Sequence, residues 1–231
     1  MNTLSKQHFA LFGLVILLTI THLIYLSSQP SKQTLIPPKI SGTILINPYK
    51  IIPFTLIDQN NKIFNNQKLT GNWHLVSYGY LHCPDVCPTT LILLSRIKEK
   101  LTKNSYSLNY LFYSVDPTRD RPNNLKQYLS FFDDEFIGLT HEDTSELNND
   151  FANNLGIKAD IKTITDNSIV QIKVSHGVHL FLINPEGKLV AVFNPQENFN
   201  DINNSIPTFN QAWLYKDITA TIDYLNLKSN S

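Results

Sequence analysis

The chain is poor in sulfur: two cysteines, Cys83 and Cys87, and one methionine, the initiator, in 231 residues. So few methionines exclude a soft-metal site built from clustered thioethers, which needs several such side chains. The lack of a second cysteine pair argues against a structural zinc site, because such sites take four protein ligands, commonly as two Cys/His pairs. A structural disulfide between Cys83 and Cys87 adds little stability, since the entropic gain shrinks with the loop it closes. Net charge is missing too. Lysine plus arginine number 19 and aspartate plus glutamate 19, so no global field draws the chain to nucleic acid or to an anionic surface. There is no internal repeat, and the seven histidines are spread so widely that spacing defines no second metal cluster.

What the chain does have is its two cysteines four residues apart, in Tyr80-Leu81-His82-Cys83-Pro84-Asp85-Val86-Cys87-Pro88-Thr89-Thr90. They stand where an apolar strand-like run meets a helix-like run. One helical turn brings positions i and i+4 onto one face, so both sulfurs can serve a single spot. A redox dithiol, a metal site of low coordination number, or both are the readings that remain.

Residues 9–26, FALFGLVILLTITHLIYL, carry no formal charge. At 1.5 Å rise per residue such a run nearly spans a hydrocarbon core of about 30 Å. It is predicted to be an uncleaved transmembrane anchor; a cleaved signal peptide has a shorter apolar region and a small-residue cleavage site, which Ser27-Ser28-Gln29 matches poorly. Lys6 precedes the run, so residues 1–8 are expected in the cytoplasm and the remainder beyond the membrane. Residues 27–38, SSQPSKQTLIPP, read as a semi-extended tether, and residues 39–231 as one α/β domain. Within it, strands are expected at 51–57, 73–80, 109–115, 179–183 and 189–193, the last two joined by a hairpin turn at Asn184-Pro185-Glu186-Gly187. Helices are expected at 88–103, with Leu91, Leu94, Ile97 and Leu101 on one stripe, and at 122–132 with proline first. A further helix is capped by Asp143 and Glu146, carries Leu147, Phe151 and Leu155, and ends at Gly156; a closing helix covers 212–227.

The order strand, dithiol, helix, strand, helix, hairpin, helix is that of a thioredoxin-like fold, which is peroxiredoxin-related and has a central mixed sheet. It sets the thiols at the first turn of the helix after a central strand, where the helix N-terminus favours a thiolate. Three residues between the cysteines, against two in a true thioredoxin, shift the balance away from a general disulfide reductase.

The stretch GYLHCPDVCPTTL, then Ser114-Val115-Asp116-Pro117-Thr118-Arg119-Asp120, Phe136-Ile137-Gly138-Leu139-Thr140, Ser175-His176 and Leu182-Ile183-Asn184-Pro185-Glu186-Gly187 closely resemble the Sco/SenC family. Its members are membrane-anchored thioredoxin-fold proteins that handle copper during cytochrome c oxidase assembly. The resemblance implies copper as Cu(I) or Cu(II), held by Cys83, Cys87 and His176. It also implies the CuA domain of cytochrome c oxidase subunit II as partner, a copper donor or thiol reductase in the periplasm, and an inner-membrane location with the domain facing the periplasm. The family's histidine lies nine residues before the proline of the hairpin turn, which selects His176 over His179; an odd separation along a strand puts the two on opposite faces. Two thiolates and one imidazole suit soft, low-coordinate Cu(I) independently of the resemblance.

No catalytic residue is assigned beyond a redox role for the cysteine pair. Asp85 is expected in an Asx-type turn or at a partner surface, Asp116 and Asp120 in a strand-end turn with Arg119 paired to one of them, His82 behind the adjacent thiol or in a surface role, and His74 and His141 as ordinary polar residues. Two functions stay open: a copper metallochaperone for the CuA site, and a thiol-disulfide oxidoreductase that reduces the CuA cysteines. A peroxidase-like thiol enzyme fits poorly, because that chemistry uses a lone peroxidatic cysteine.

Overall fold

A computed structural model describes residues 3–27, 35–142, 150–166, 169–195 and 208–229, with side chains at all of these except 3–10, 26, 161–166 and 169–176. The chain divides into two compact units, Met1–Ile36 and Pro37–Ser231. The first contains helix α1 (Thr3–Ser27), whose described apolar side chains are exposed. Among the described residues no helix is long and apolar enough to cross a membrane. The run expected to be an anchor, residues 9–26, falls within α1.

In the second unit, β1 (Gly42–Lys50), β2 (Thr55–Asp58), β3 (Ile63–Asn65), β4 (Trp73–Gly79), β5 (Leu108–Ser114), β6 (Ile137–Thr140), β9 (Leu180–Ile183) and β10 (Lys188–Phe193) form one sheet. Its order is β1-β10-β9-β4-β5-β6-β2-β3. β4 pairs β5, and β5 pairs β6, in parallel; the other pairings are antiparallel. The central sheet is therefore mixed, as expected. Parallel neighbours need a crossover, and here α2 (Val86–Lys103) and α3 (Pro122–Ser130) supply them. The closing helix α5 (Gln211–Ser229) and the short α4 (Asp150–Leu155) complete the unit.

Strand alternation sorts the core into two layers. Leu75, Tyr110, Phe112, Leu180 and Leu182 face Leu91, Leu94, Ile97 and Leu101 of α2, with Leu125 of α3 and Ile218 of α5. Val76, Tyr78, Leu111, Tyr113 and Phe181 face Phe54, Leu69, Phe151 and Leu155. The α2 stripe is buried as its spacing predicts, and Gly156 ends α4 with φ +70°, a conformation glycine adopts without steric cost. The hairpin turn closes through Asn184 N–H to Lys188 O at 2.9 Å and Gly187 N–H to Asn184 O at 2.9 Å.

Three features depart from the sequence expectation. The segment expected as a strand from 51 forms β2 only from Thr55, because Pro53 lacks the N–H a ladder needs. Edge strand β1 is an addition. So is a two-stranded ribbon of β7 (Ala159–Asp166) and β8 (Ile169–His176), separate from the main sheet. The expected cap at Asp143 and Glu146, and Leu147, lie outside the described residues.

Candidate metal centre

The dithiol is positioned by the end of β4. Val115 N–H donates to Gly79 O at 2.8 Å, so the parallel strands β4 and β5 finish side by side. The chain then turns, with Cys83 N–H on Tyr80 O at 3.2 Å, and α2 begins at Val86. Cys87 thus lies in the first turn of α2, while Cys83 precedes the helix. Asp85 occupies the cap position without a side-chain cap bond. The Cys83 sulfur takes that place instead, accepting the Cys87 N–H at 3.4 Å. An orphan N–H at a helix start needs such an acceptor, and the electropositive terminus favours a sulfur of growing negative charge.

The two cysteines are not joined in a disulfide. Cys83 is half-buried; Cys87 is only 4% exposed. Gly79 allows this burial: a Cβ there would overlap the Cys87 sulfur and touch the Phe112 ring. The Cys87 thiol is pushed far up from its ordinary range, first by its hydrogen bond with the Cys83 side chain, then by burial and by Cys83's charge. These effects outweigh the helix terminus at Cys87, against the expectation of a helix-favoured thiolate there. A bound cation reverses that balance, since thiol ligands release their protons on metallation.

Behind the dithiol stands a buried polar cluster from the segment after β5. Asp120 is 0% exposed. Its Oδ2 accepts from Leu81 N–H at 3.0 Å and from Ser114 Oγ at 2.7 Å, tying the turn before the cysteines to the end of β5. Burial raises the Asp120 pKa against these hydrogen bonds. Ser114 Oγ in turn accepts from Asp116 N–H at 3.0 Å, and Arg119 Nε pairs with Asp116 Oδ2. The Arg119 guanidinium carbon lies 6.0 Å from the Tyr80 ring centre. The Tyr80 hydroxyl pKa is raised, first by burial and then by the charges of Cys83 and Cys87, with Arg119 opposing. Sequence reading placed Asp116, Arg119 and Asp120 in a turn but missed that this turn backs the dithiol. The available signal was that parallel neighbours end at the same sheet edge.

The histidines separate. His176 ends β8, opposite Ala159, and its side chain lies outside the described residues. His179 directly precedes β9; its Nδ1 is 3.2 Å from Asn194 Oδ1 and its ring 6.5 Å from that of Phe181. Alternation along β9 sets it on the Phe181 layer, whereas Leu180 shares the layer of Phe112 and α2. His82 is exposed. His74 and His141 are not ordinary polar residues: both are buried, and His141 Nε2 lies 3.0 Å from the Tyr113 hydroxyl. Among the described residues no three His, Cys, Asp or Glu side chains are grouped to hold a metal. The described donors are the two sulfurs, a pair that suits a soft, low-coordinate ion such as Cu(I).

The sequence model of the SCO1/SenC family matches residues 47–210. An SCO2-like protein of Rickettsia conorii is 48% identical over 87 residues, 38% of this chain and 42% of that protein, so the chain spans under half the length of that relative. Among solved structures, copper-bound ScoI of Bradyrhizobium japonicum is 29% identical with a TM-score of 0.57, over 77% of this chain and 99% of that one. Copper-bound yeast Sco1 is 26% identical with a TM-score of 0.63, over 76% and 90%. The dithiol between β4 and α2, the mixed sheet of thioredoxin-like type and the extent of the family match lead to one assignment: the chain belongs to the SCO1/SenC family.

Proposed function

We propose that this protein is a copper carrier that loads the CuA site of cytochrome c oxidase subunit II during assembly. Copper is its cargo, held by the thiolates of Cys83 and Cys87 and the imidazole of His176. The observation that carries this reading is the pair of reduced thiols joined through the Cys87 N–H to Cys83 Sγ contact. Family membership and the copper-bound state of the solved relatives support it. Soft thiolates favour Cu(I), and one imidazole completes three-coordination.

A second reading is favoured by the asymmetry of the pair. A half-exposed Cys83 beside a buried Cys87 suits thiol-disulfide exchange, in which the accessible thiolate attacks a target disulfide and the buried one resolves the mixed disulfide. On this reading the protein reduces the CuA cysteines so that another carrier can load them.

His176 separates the two. The His176→Ala chain keeps its dithiol but loses the imidazole. For a carrier, copper retention and oxidase assembly should fall together; for a reductase, the variant should still reduce an oxidised CuA domain and support assembly. Weak copper binding with normal assembly would replace the carrier by the reductase. The His179→Ala chain, measured beside it, should retain copper, because its ring is engaged with Asn194.

The location that suits this function is the inner membrane, with residues 9–26 as a single-pass anchor and the domain in the periplasm. The uncharged apolar run and Lys6 before it support this topology. Protease added to spheroplasts should remove the domain, and full protection there would overturn the topology.

A further inference from the structure

Gly177, Val178 and His179 connect two sheets. Before them β8 ends at His176 in the ribbon with β7; after them β9 begins at Leu180 in the main sheet. β4 pairs β9 with Leu75 opposite Leu182 and Val76 opposite Phe181, and the same register sets Tyr78 opposite His179. The Tyr78 ring packs in the core, 5.8 Å from that of Phe181, and the residue is only 8% exposed. Its hydroxyl reaches the connection. A Cβ built on Gly177 would fall 2.8 Å from the hydroxyl oxygen, and 3.2 and 3.3 Å from two atoms of the His179 ring, so glycine leaves the space that the hydroxyl uses. A buried phenol needs a hydrogen-bonding partner. The Tyr78 pKa is pushed up to about 12 by burial, with a hydrogen bond from the His179 backbone opposing. The same connection borders the dithiol: Val178 and His179 line one small cavity with Tyr78, Val86 and Cys87.

We propose that Tyr78 is a positioning residue for copper: its hydroxyl, closed on Gly177 and facing His179, ties the connection that follows His176 to β4, the strand that leads into the dithiol. The inference rests on the carrier reading above. A ligand carried on a loose segment gives up conformational freedom when the metal binds, and a tie formed beforehand removes part of that cost. Cys83 and Cys87 follow directly from β4, so one strand sets both the sulfurs and the segment that brings the imidazole. Tyr78→Phe keeps the ring against Phe181 and removes only the tie.

The test is Cu(I) competition against a chromophoric chelator at pH 7, on the full reduced chain, Tyr78→Phe, His176→Ala and the two combined. Tyr78→Phe should weaken Cu(I) binding by about three- to tenfold, the range of one net hydrogen bond. In the His176→Ala background the same substitution should change nothing, because the tie then positions no ligand. Gly177→Ala, which drives a methyl group toward the hydroxyl, should repeat both results, and it decides the matter if Tyr78→Phe does not fold. Equal weakening in the two backgrounds would assign the hydroxyl to the fold alone and overturn the proposal, as would parental affinity in Tyr78→Phe. The tie is also read without metal. Hydrogen exchange of the Val178 and His179 amides should quicken about tenfold in Tyr78→Phe, while the Leu75 and Val76 amides of β4 keep their rates; unchanged exchange would reject the tie. If the parent binds no Cu(I), or His176→Ala binds it with parental affinity, the carrier reading or its histidine fails instead, and amide exchange still decides whether Tyr78 holds the segment.

Discussion

Either serine variant of the dithiol, Cys83→Ser or Cys87→Ser, is expected to lose tight Cu(I) binding, by about a thousandfold or more, because a hydroxyl is a poor ligand for a soft ion. The parent should carry one copper per chain when reduced. After oxidation to the disulfide it should carry little, since a disulfide removes both thiolates at once. The two variants should differ in stability. Cys83 is half-buried and its serine can reach water, whereas Cys87 is packed against Gly79 and Phe112, so serine there buries a hydroxyl at a cost of roughly 1–3 kcal/mol. Metal analysis after gel filtration under reducing conditions, beside urea midpoints of the empty chains, measures both effects. Full Cu(I) affinity in either variant would show that the two sulfurs do not share a site.

Acid should unfold this domain through His74. Its ring is 0% exposed at the middle of the sheet, and neither nitrogen makes a hydrogen bond of proper geometry; the nearby Leu69 backbone offsets the effect of burial only in part. Burial lowers the His74 pKa from 6.5 to about 4. The folded ring thus stays neutral where the unfolded chain takes up a proton. Between those two values the unfolded state binds more protons, so stability is full above about pH 6.5 and falls as pH drops toward about 4. At 1.36 kcal/mol per pH unit the loss amounts to about 3 kcal/mol. His141, lowered by burial as well, acts in the same direction. Urea midpoints at pH 7 and pH 4.5, on the parent and on His74→Leu, measure the contribution. The substitution should remove most of the difference between the two pH values. An equally steep acid loss in both chains would assign it to other groups.

Much of the site was legible because it is local. The apolar stripe of α2 and the turn at Asn184 to Gly187 are set within one or two turns of chain and appear as their patterns predict; the cysteines do meet, but with Cys83 before the helix and accepting at its first turn, not on a shared helix face. His74 was misjudged for a reason the sequence does not display. One polar residue in an apolar strand looks solvent-facing until both layers over that strand are known, and here each is closed. The ribbon of β7 and β8 was missed although its residues alternate, since such a pattern does not say whether a strand joins the main sheet or pairs only with its neighbour.

By itself, the sequence determined the dithiol, its place between a strand and a helix, and the family, because chemistry and spacing at one short segment carry all three. Only the tertiary structure decided what surrounds those sulfurs. The parallel register of Gly79 with Ser114 brings the segment after β5 behind the cysteines, so that Asp120 holds Leu81 and Arg119 lies over Tyr80. Burial against Gly79 then sets Cys87 apart from Cys83. Leu81 and Asp120, like Tyr80 and Arg119, are 39 residues apart in the chain. Long-range strand pairing depends on how every layer packs, which no local periodicity encodes.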